Sequence, residues 1–191
     1  MHHPFLRTVI HVILLLLSSF VLCEGRHAVI FDIDGTLTPD LFQIGHWLVR
    51  KKSKDAVEAY LDLGYEVVLL TARSQRLQWY TRAVLSMWGF PLEDLTAMVF
   101  APHALVNEEA TREYKRMAIQ NMTEVLGLEF QYAYGDSTTD FLAYGDAGID
   151  SSRVFATKRL TRSTCMPGNW TECLVDYTDH LMYIEELPLA L

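Results

Sequence analysis

Ala28-Val29-Ile30-Phe31-Asp32-Ile33-Asp34-Gly35-Thr36 is the stretch on which the fold turns. Four apolar residues run without a polar break and stop at an acid. A strand with one wet face would alternate; an unbroken run marks a strand covered on both faces, as in a parallel sheet. A second carboxylate follows two residues later, then a glycine that lets the chain turn at once. In an extended segment Asp32 and Asp34 would present their side chains in the same direction.

The pattern recurs along the chain. Val67-Val68-Leu69-Leu70, Ala97-Met98-Val99-Phe100, Phe130 to Tyr134 and Val154-Phe155-Ala156 are further apolar runs. Between them lie segments of helical spacing: Ser53–Leu63 before Gly64, Gln75–Trp88 before Gly89, Glu108–Leu126 before Gly127, and Thr138–Ala147 before Gly148. Strands alternating with helices imply right-handed βαβ units and an α/β, doubly wound parallel sheet with helices on both faces. The tail from Lys158 is irregular up to Tyr177–Glu186, where a last helix is expected to dock on the domain.

Ligands of such sheets bind beyond the carboxyl ends of the strands. The first strand delivers Asp32, Asp34 and Thr36 there, the second Thr71-Ala72-Arg73, the fourth Gly135-Asp136-Ser137-Thr138-Thr139-Asp140. Lys115, on the helix before the fourth strand, adds a positive charge. An isolated Asp is most often a cap or turn residue, but here three strand ends agree. Clustered carboxylates need a cation, and an all-oxygen set suits Mg²⁺. A strand-end carboxylate can attack phosphorus, a neighbouring Asp can protonate the leaving oxygen, and hydroxyl and ammonium groups can hold phosphoryl oxygens.

Phe31-Asp32-Ile33-Asp34-Gly35-Thr36-Leu37-Thr38, Leu70-Thr71-Ala72-Arg73, Lys115 and Gly135-Asp136-x-x-x-Asp140 resemble the haloacid dehalogenase superfamily. Within it the chain resembles the catalytic domain of lipin-type phosphatidate phosphatases, from Ala28 to Ala156. Ile44-Gly45-His46, Lys54-Asp55, Gly64-Tyr65, Thr81-Arg82, Glu109, Tyr114-Lys115, Thr139-Asp140, Ala143-Tyr144, Gly148-Ile149 and Ser152-Arg153-Val154-Phe155 carry the narrower likeness. The resemblance implies a Rossmann-like sheet of haloacid dehalogenase type. It implies Asp32 as nucleophile, Asp34 as acid and base, and Thr71, Ala72, Arg73 and Lys115 around the substrate phosphate. It also implies Mg²⁺ on Asp32, Asp34 (through its carbonyl), Asp136 and Asp140. Lipins have Asn-Arg where this chain has Asp136-Ser137, so the superfamily acid is present and the lipin arginine is lost. No counterpart of the lipin N-terminal domain and its membrane-binding helix is expected among these 191 residues.

The expected function is a Mg²⁺-dependent phosphomonoester hydrolase acting through an aspartyl phosphate on phosphatidate or a related lipid phosphate, with phospholipid at a membrane surface as an expected partner. The alternatives are a non-catalytic phospholipid-binding module, as in lipin-related domains of lipid-transfer proteins, and a secreted phosphatase for protein or sugar phosphates. About 36 residues separate Asp34 from Thr71 and about 43 separate Thr71 from Lys115. The elements above consume both stretches, so little or no cap domain is expected.

The rest of the sequence sets the context. Arg7 and an apolar run from Val9 to Leu22 form a segment too short for a bilayer span of about 20 residues. It fits a signal peptide over 1–25 ahead of a domain over 26–191, with cleavage after Cys23 or Gly25; an uncleaved anchor is the rival. Asn121-Met122-Thr123 and Asn169-Trp170-Thr171 are glycosylation acceptor triplets. With Cys23 set apart, Cys165 and Cys173 either close a small loop across Pro167-Gly168 in an oxidising compartment or remain two buried thiols. The chain carries 24 acidic and 16 Lys+Arg residues, a net charge of −8, which argues against a nucleic-acid partner. His46, His103 and His180 show no metal spacing. Trp47, Trp79, Trp88 and Trp170 are expected in the core, and Lys51-Lys52-x-Lys54 on a solvated face.

Overall fold

The computed structural model describes residues 25–39 and 48–190. The expected targeting segment with Cys23, the positions Ile44-Gly45-His46 and Trp47 lie outside the described residues. The chain runs β1 (Arg26–Phe31), α1 (Ser53–Asp62), β2 (Glu66–Ser74), a 3₁₀ turn (Gln75–Leu77), α2 (Gln78–Met87), β3 (Ala97–Ala101), α3 (Glu108–Leu126), β4 (Leu128–Gly135), α4 (Thr138–Asp146), a second 3₁₀ turn (Ser151–Arg153), β5 (Val154–Thr157), β6 (Glu172–Leu174) and α5 (His180–Glu185). The sheet order is β3-β2-β1-β4-β5-β6, and every neighbouring pair is parallel. The chain builds outward from β1 to β3, then returns to lay β4 against β1. That reversal opens a crevice at the carboxyl ends of β1 and β4.

The two faces bury separate cores, because side chains alternate along each strand. Val29, Phe31, Val67, Leu69, Tyr132, Tyr134 and Phe155 pack against Ala56, Val57 and Tyr60 of α1, Leu85 of α2 and Ile184 of α5. Ala28, Ile30, Val68, Leu70, Ala133, Val154 and Ala156 pack against Ile119 and Met122 of α3 and Phe141 and Tyr144 of α4. Asn107 caps α3 by accepting from Ala110 N at 2.8 Å, and Gly127 ends it in the left-handed region at φ 66°.

Several details differ from the sequence pattern. β2 continues to Ser74, so Thr71-Ala72-Arg73 lies within the strand, where the pairing with β3 shifts register between Thr71 and Ser74. The helix expected from Gln75 begins as a 3₁₀ turn. β6 had no apolar run long enough to announce it; Cys173 at its centre is joined to Cys165, with Cα atoms 5.8 Å apart. The expected burial of the tryptophans is corrected: Trp79 is 72% exposed and Trp88 42% exposed, because the face of α2 turned to the sheet is filled by Thr81, Val84 and Leu85. The tail docks as expected. Tyr177 N donates to Lys51 O at 3.1 Å and Ala190 N to Leu63 O at 2.9 Å.

Burying phenols and an imidazole is costly unless their polar atoms are paired. Here part of the set is paired, while Tyr177 OH and His180 Nδ1 have no hydrogen bond and Nδ1 lies 3.4 Å from Glu172 Oε2. Tyr60 OH and Tyr134 OH share a hydrogen bond of 2.8 Å, and Tyr134 OH meets His180 Nε2 at 2.8 Å. The ring of Phe31 stacks on Tyr134 with centroids 4.5 Å apart, and Phe155 lies 4.4 Å from the His180 ring. Burial pushes His180 down to about 4, so the native state holds it neutral. The unfolded chain protonates this ring at its ordinary value near 6.5. Its contribution to stability is therefore present above that value and is lost as pH falls towards 4. In thermal melts, the advantage of wild type over His180→Gln should shrink steadily between pH 7 and pH 4.5. A difference that does not vary with pH would contradict the neutral buried ring.

Candidate active site

The motif after β1 leaves the sheet in a turn, not in an extended segment. Thr36, Leu37 and Thr38 all donate their N–H groups to Ile33 O, at 3.3, 3.0 and 2.9 Å. Asp32 and Asp34 both line one cavity of about 720 Å³, but each has its own partners, which corrects the parallel presentation expected from their spacing. The turn needs glycine: Gly35 has φ 76°, and a Cβ there would lie 2.0 Å from Asp136 Oδ2.

Asp32 is buried at the end of β1. Its Oδ1 accepts from Lys115 Nζ at 2.6 Å and its Oδ2 from Thr36 Oγ1 at 3.2 Å. Lys115, buried on α3, also donates to Asp140 Oδ1 at 2.5 Å. Asp140 opens α4 in a capping box with Ser137, and its Oδ2 accepts from Ser137 Oγ at 2.7 Å and from Asp136 N at 3.1 Å. A Cβ on Gly135 would stand 2.6 Å from Asp140 Cβ, so the Gly-Asp pair is a packing requirement. Asp136 itself accepts from Arg159 Nε at 2.5 Å. Asp34 is held by Arg73, which donates through Nε at 2.9 Å and Nη2 at 2.6 Å, and by Thr71 Oγ1 at 3.2 Å. Arg73 is steadied in turn by Thr81 Oγ1 at 2.9 Å.

Electrostatics follow from burial. Desolvation raises Asp32 well above the carboxylate range; Lys115 opposes it, and Asp140, Asp136 and Asp34 add to it. Desolvation and then Asp140 push Asp136 up to about 7, against Arg159. Burial alone would lower Lys115, but Asp140 and Asp32 outweigh it and keep the ammonium charged. Oxygen atoms of Asp32, Asp136 and Asp140 lie within 4.8 Å of one another. Hard oxygen donors at that spacing, penalised by their own mutual charge, fit a Mg²⁺ ion. Asp34 sends its carboxylate to Arg73 and stands outside this carboxylate group.

The structure thus gathers Asp32, Asp34, Thr71, Ala72, Arg73, Lys115, Asp136 and Asp140 around one crevice. Two contributors were not legible beforehand. Arg50, buried ahead of α1, donates to Thr36 O at 3.0 Å, Gly35 O at 2.5 Å and Val175 O at 2.7 Å, tying the motif turn to the tail. Arg159 follows β5. Neither belongs to a spaced motif; an Arg one residue before a lysine cluster and another just past a strand were the only signals. The Cys165–Cys173 loop reaches the crevice, since Met166 lines the cavity and Thr138 Oγ1 donates to Pro167 O at 2.9 Å. Asn121 and Asn169 are exposed.

Replacing Lys115 by Met leaves Asp32 and Asp140 buried without their counter-charge, a change that costs about 3–5 kcal/mol. Urea denaturation of Lys115→Met at pH 7.5 should show that loss. A loss under about 1 kcal/mol would mean that the pair is hydrated.

Comparison with known proteins gives the family and the fold. The model of the PITM 1-3, LNS2 domain matches residues 29–158. Membrane-associated phosphatidylinositol transfer protein 3 of Homo sapiens is 29% identical over 143 residues, 74% of this chain and 14% of that protein. Membrane-associated phosphatidylinositol transfer protein 1 of Homo sapiens is 27% identical over 143 residues and 11% of its length. The chain therefore spans a small fraction of these relatives. Among solved structures, D,D-heptose 1.7-bisphosphate phosphatase from B. bronchiseptica, complexed with magnesium and phosphate, superposes with a TM-score of 0.57 at 17% identity, covering 83% of this chain and 97% of that one. A putative HAD-like phosphatase from Mesorhizobium loti gives 0.57 at 17% identity, covering 85% and 87%. At such identities the likeness concerns the fold, which is that of the haloacid dehalogenase phosphatases, with an acidic cluster at the strand ends.

Proposed function

The chain belongs to the family of PITM 1-3 LNS2 domains, and from that premise we propose that it is a Mg²⁺-dependent phosphomonoester hydrolase acting on phosphatidate or a related lipid phosphate. The observation that carries this reading is the complete set Asp32, Asp34, Lys115, Asp136 and Asp140 around one cavity. Asp32, Asp136 and Asp140 would hold the ion, which when bound neutralises charge on the phosphoryl oxygens. The Asp32 carboxylate attacks phosphorus as the bond to the leaving oxygen breaks, giving an acyl phosphate. Asp34 gives its proton to that oxygen, then takes one from the water that attacks the acyl phosphate. Phosphate departs and Asp32 is again a carboxylate. Lys115 holds Asp32 in place, and Arg73 and Thr71 steer Asp34 at the cavity mouth. The open crevice suits a phosphate carried on a bulky or surface-bound molecule.

A second reading is a non-catalytic phospholipid-binding module. It draws on the transfer-protein relatives and on the Arg73 clamp, which has to open before Asp34 meets a leaving oxygen. Phosphate release from phosphatidate vesicles, beside a panel of sugar and protein phosphates, separates the two. Wild type with Mg²⁺ should turn over lipid phosphate, and Asp32→Asn should lose about a thousandfold or more. Equal rates for both would remove Asp32 from the chemistry. Vesicle binding without turnover on any phosphoester would favour the module.

The proposed location is the secretory lumen or outside the cell, with a signal peptide over 1–25 and the domain over 26–191. The Cys165–Cys173 disulfide and the exposed Asn121 and Asn169 support it. Among the described residues no helix is long and apolar enough to cross a membrane. Protein from culture medium should begin near residue 24 or 26 and drop in mass on glycosidase treatment. Unmodified full-length protein in the cytosol would contradict the assignment.

A further inference from the structure

Lys115 and Arg159 both neutralise the acidic cluster, but in different ways. Lys115 is 3% exposed, lines the floor of the crevice and bridges two buried acids, Asp32 and Asp140. Arg159 is 28% exposed, stands two residues beyond the last residue of β5 and lines the cavity wall. Its Nε bond goes to Asp136, the member of the carboxylate group that does not touch Lys115. A partly exposed guanidinium presents a fork of N–H donors that suits phosphoryl oxygens as well as a carboxylate.

The charges decide what such a move would do. Asp32, Asp34, Asp136 and Asp140 oppose Lys115, Arg73 and Arg159, which leaves one negative charge in excess when all are ionised. A divalent cation turns that into one positive charge, which attracts an entering phosphate dianion. Without Arg159 the same site would be more attractive to the cation and, once loaded, less attractive to the anion.

We infer that Arg159 competes with the divalent cation for Asp136 and, when the cation is bound, turns to a phosphoryl oxygen of the ligand. It is then a ligand-binding residue that couples cation loading to phosphate affinity. This rests on the cation site proposed above. No carboxylate in the strand-end motifs sets that coupling; it comes from a residue on β5's exit.

Direct binding tests it without turnover. Mn²⁺ affinity is measured by calorimetry for wild type, Arg159→Gln and Arg159→Lys, and then orthophosphate affinity at saturating Mn²⁺. Near-ultraviolet circular dichroism and melting confirm that each variant is folded. Arg159→Gln should bind Mn²⁺ about tenfold tighter and orthophosphate about tenfold weaker. Arg159→Lys keeps the charge and should stay near wild type in both. Unchanged or weaker Mn²⁺ binding by folded Arg159→Gln overturns the competition, and unchanged phosphate binding overturns the second role. If wild type binds no Mn²⁺, the cation site fails and takes both this inference and the proposed hydrolysis with it.

Discussion

A buried ammonium between two buried carboxylates organises this protein. Lys115 comes from α3 on one face of the sheet, Asp32 from the end of β1, and Asp140 from the first turn of α4. An isolated charge in such a place would be expelled or neutralised. Each of the three is tolerable only because the others are within hydrogen-bond reach. The pairing therefore locks a helix, the central strand and a second helix into one arrangement, and it does so at the spot where chemistry is to occur.

The surroundings serve the same arrangement. β1 and β4 are neighbours where the chain reverses its direction across the sheet, which brings Asp32 beside Asp136. Thr157 Oγ1 donates to Gly35 O at 2.9 Å, and Arg50 takes the Gly35 and Thr36 carbonyls, so the motif turn is held by its backbone from two directions. The glycines at 35 and 135 let carboxylates approach the chain more closely than any side chain would allow. Raised acids, a charged lysine and two guanidiniums then make a site whose charge nearly balances and which a single cation can tip.

Much of the fold was legible because the signal was local. Ala28-Val29-Ile30-Phe31 and Val67-Val68-Leu69-Leu70 read as doubly covered strands from composition alone, and they are β1 and β2. Glu108–Leu126 was bounded correctly because Asn107 and Gly127 mark its ends. β6 was not legible, since three residues beside an irregular loop carry no periodicity. Trp79 misled because size suggests burial, while the direction of α2 against the sheet decides it.

The sequence by itself determined which acids end which strands, that helices alternate with strands, and that a lysine precedes the fourth strand. These follow from residue order and from the periods of strand and helix. Only the tertiary structure decided the partners: Asp32 with Lys115, Asp34 with Arg73 and Thr71, Asp136 with Arg159, and the Gly35 turn with Arg50. Those pairs join residues separated by up to 83 positions, and charge neutralisation in a buried crevice depends on distance in space, which no local pattern encodes.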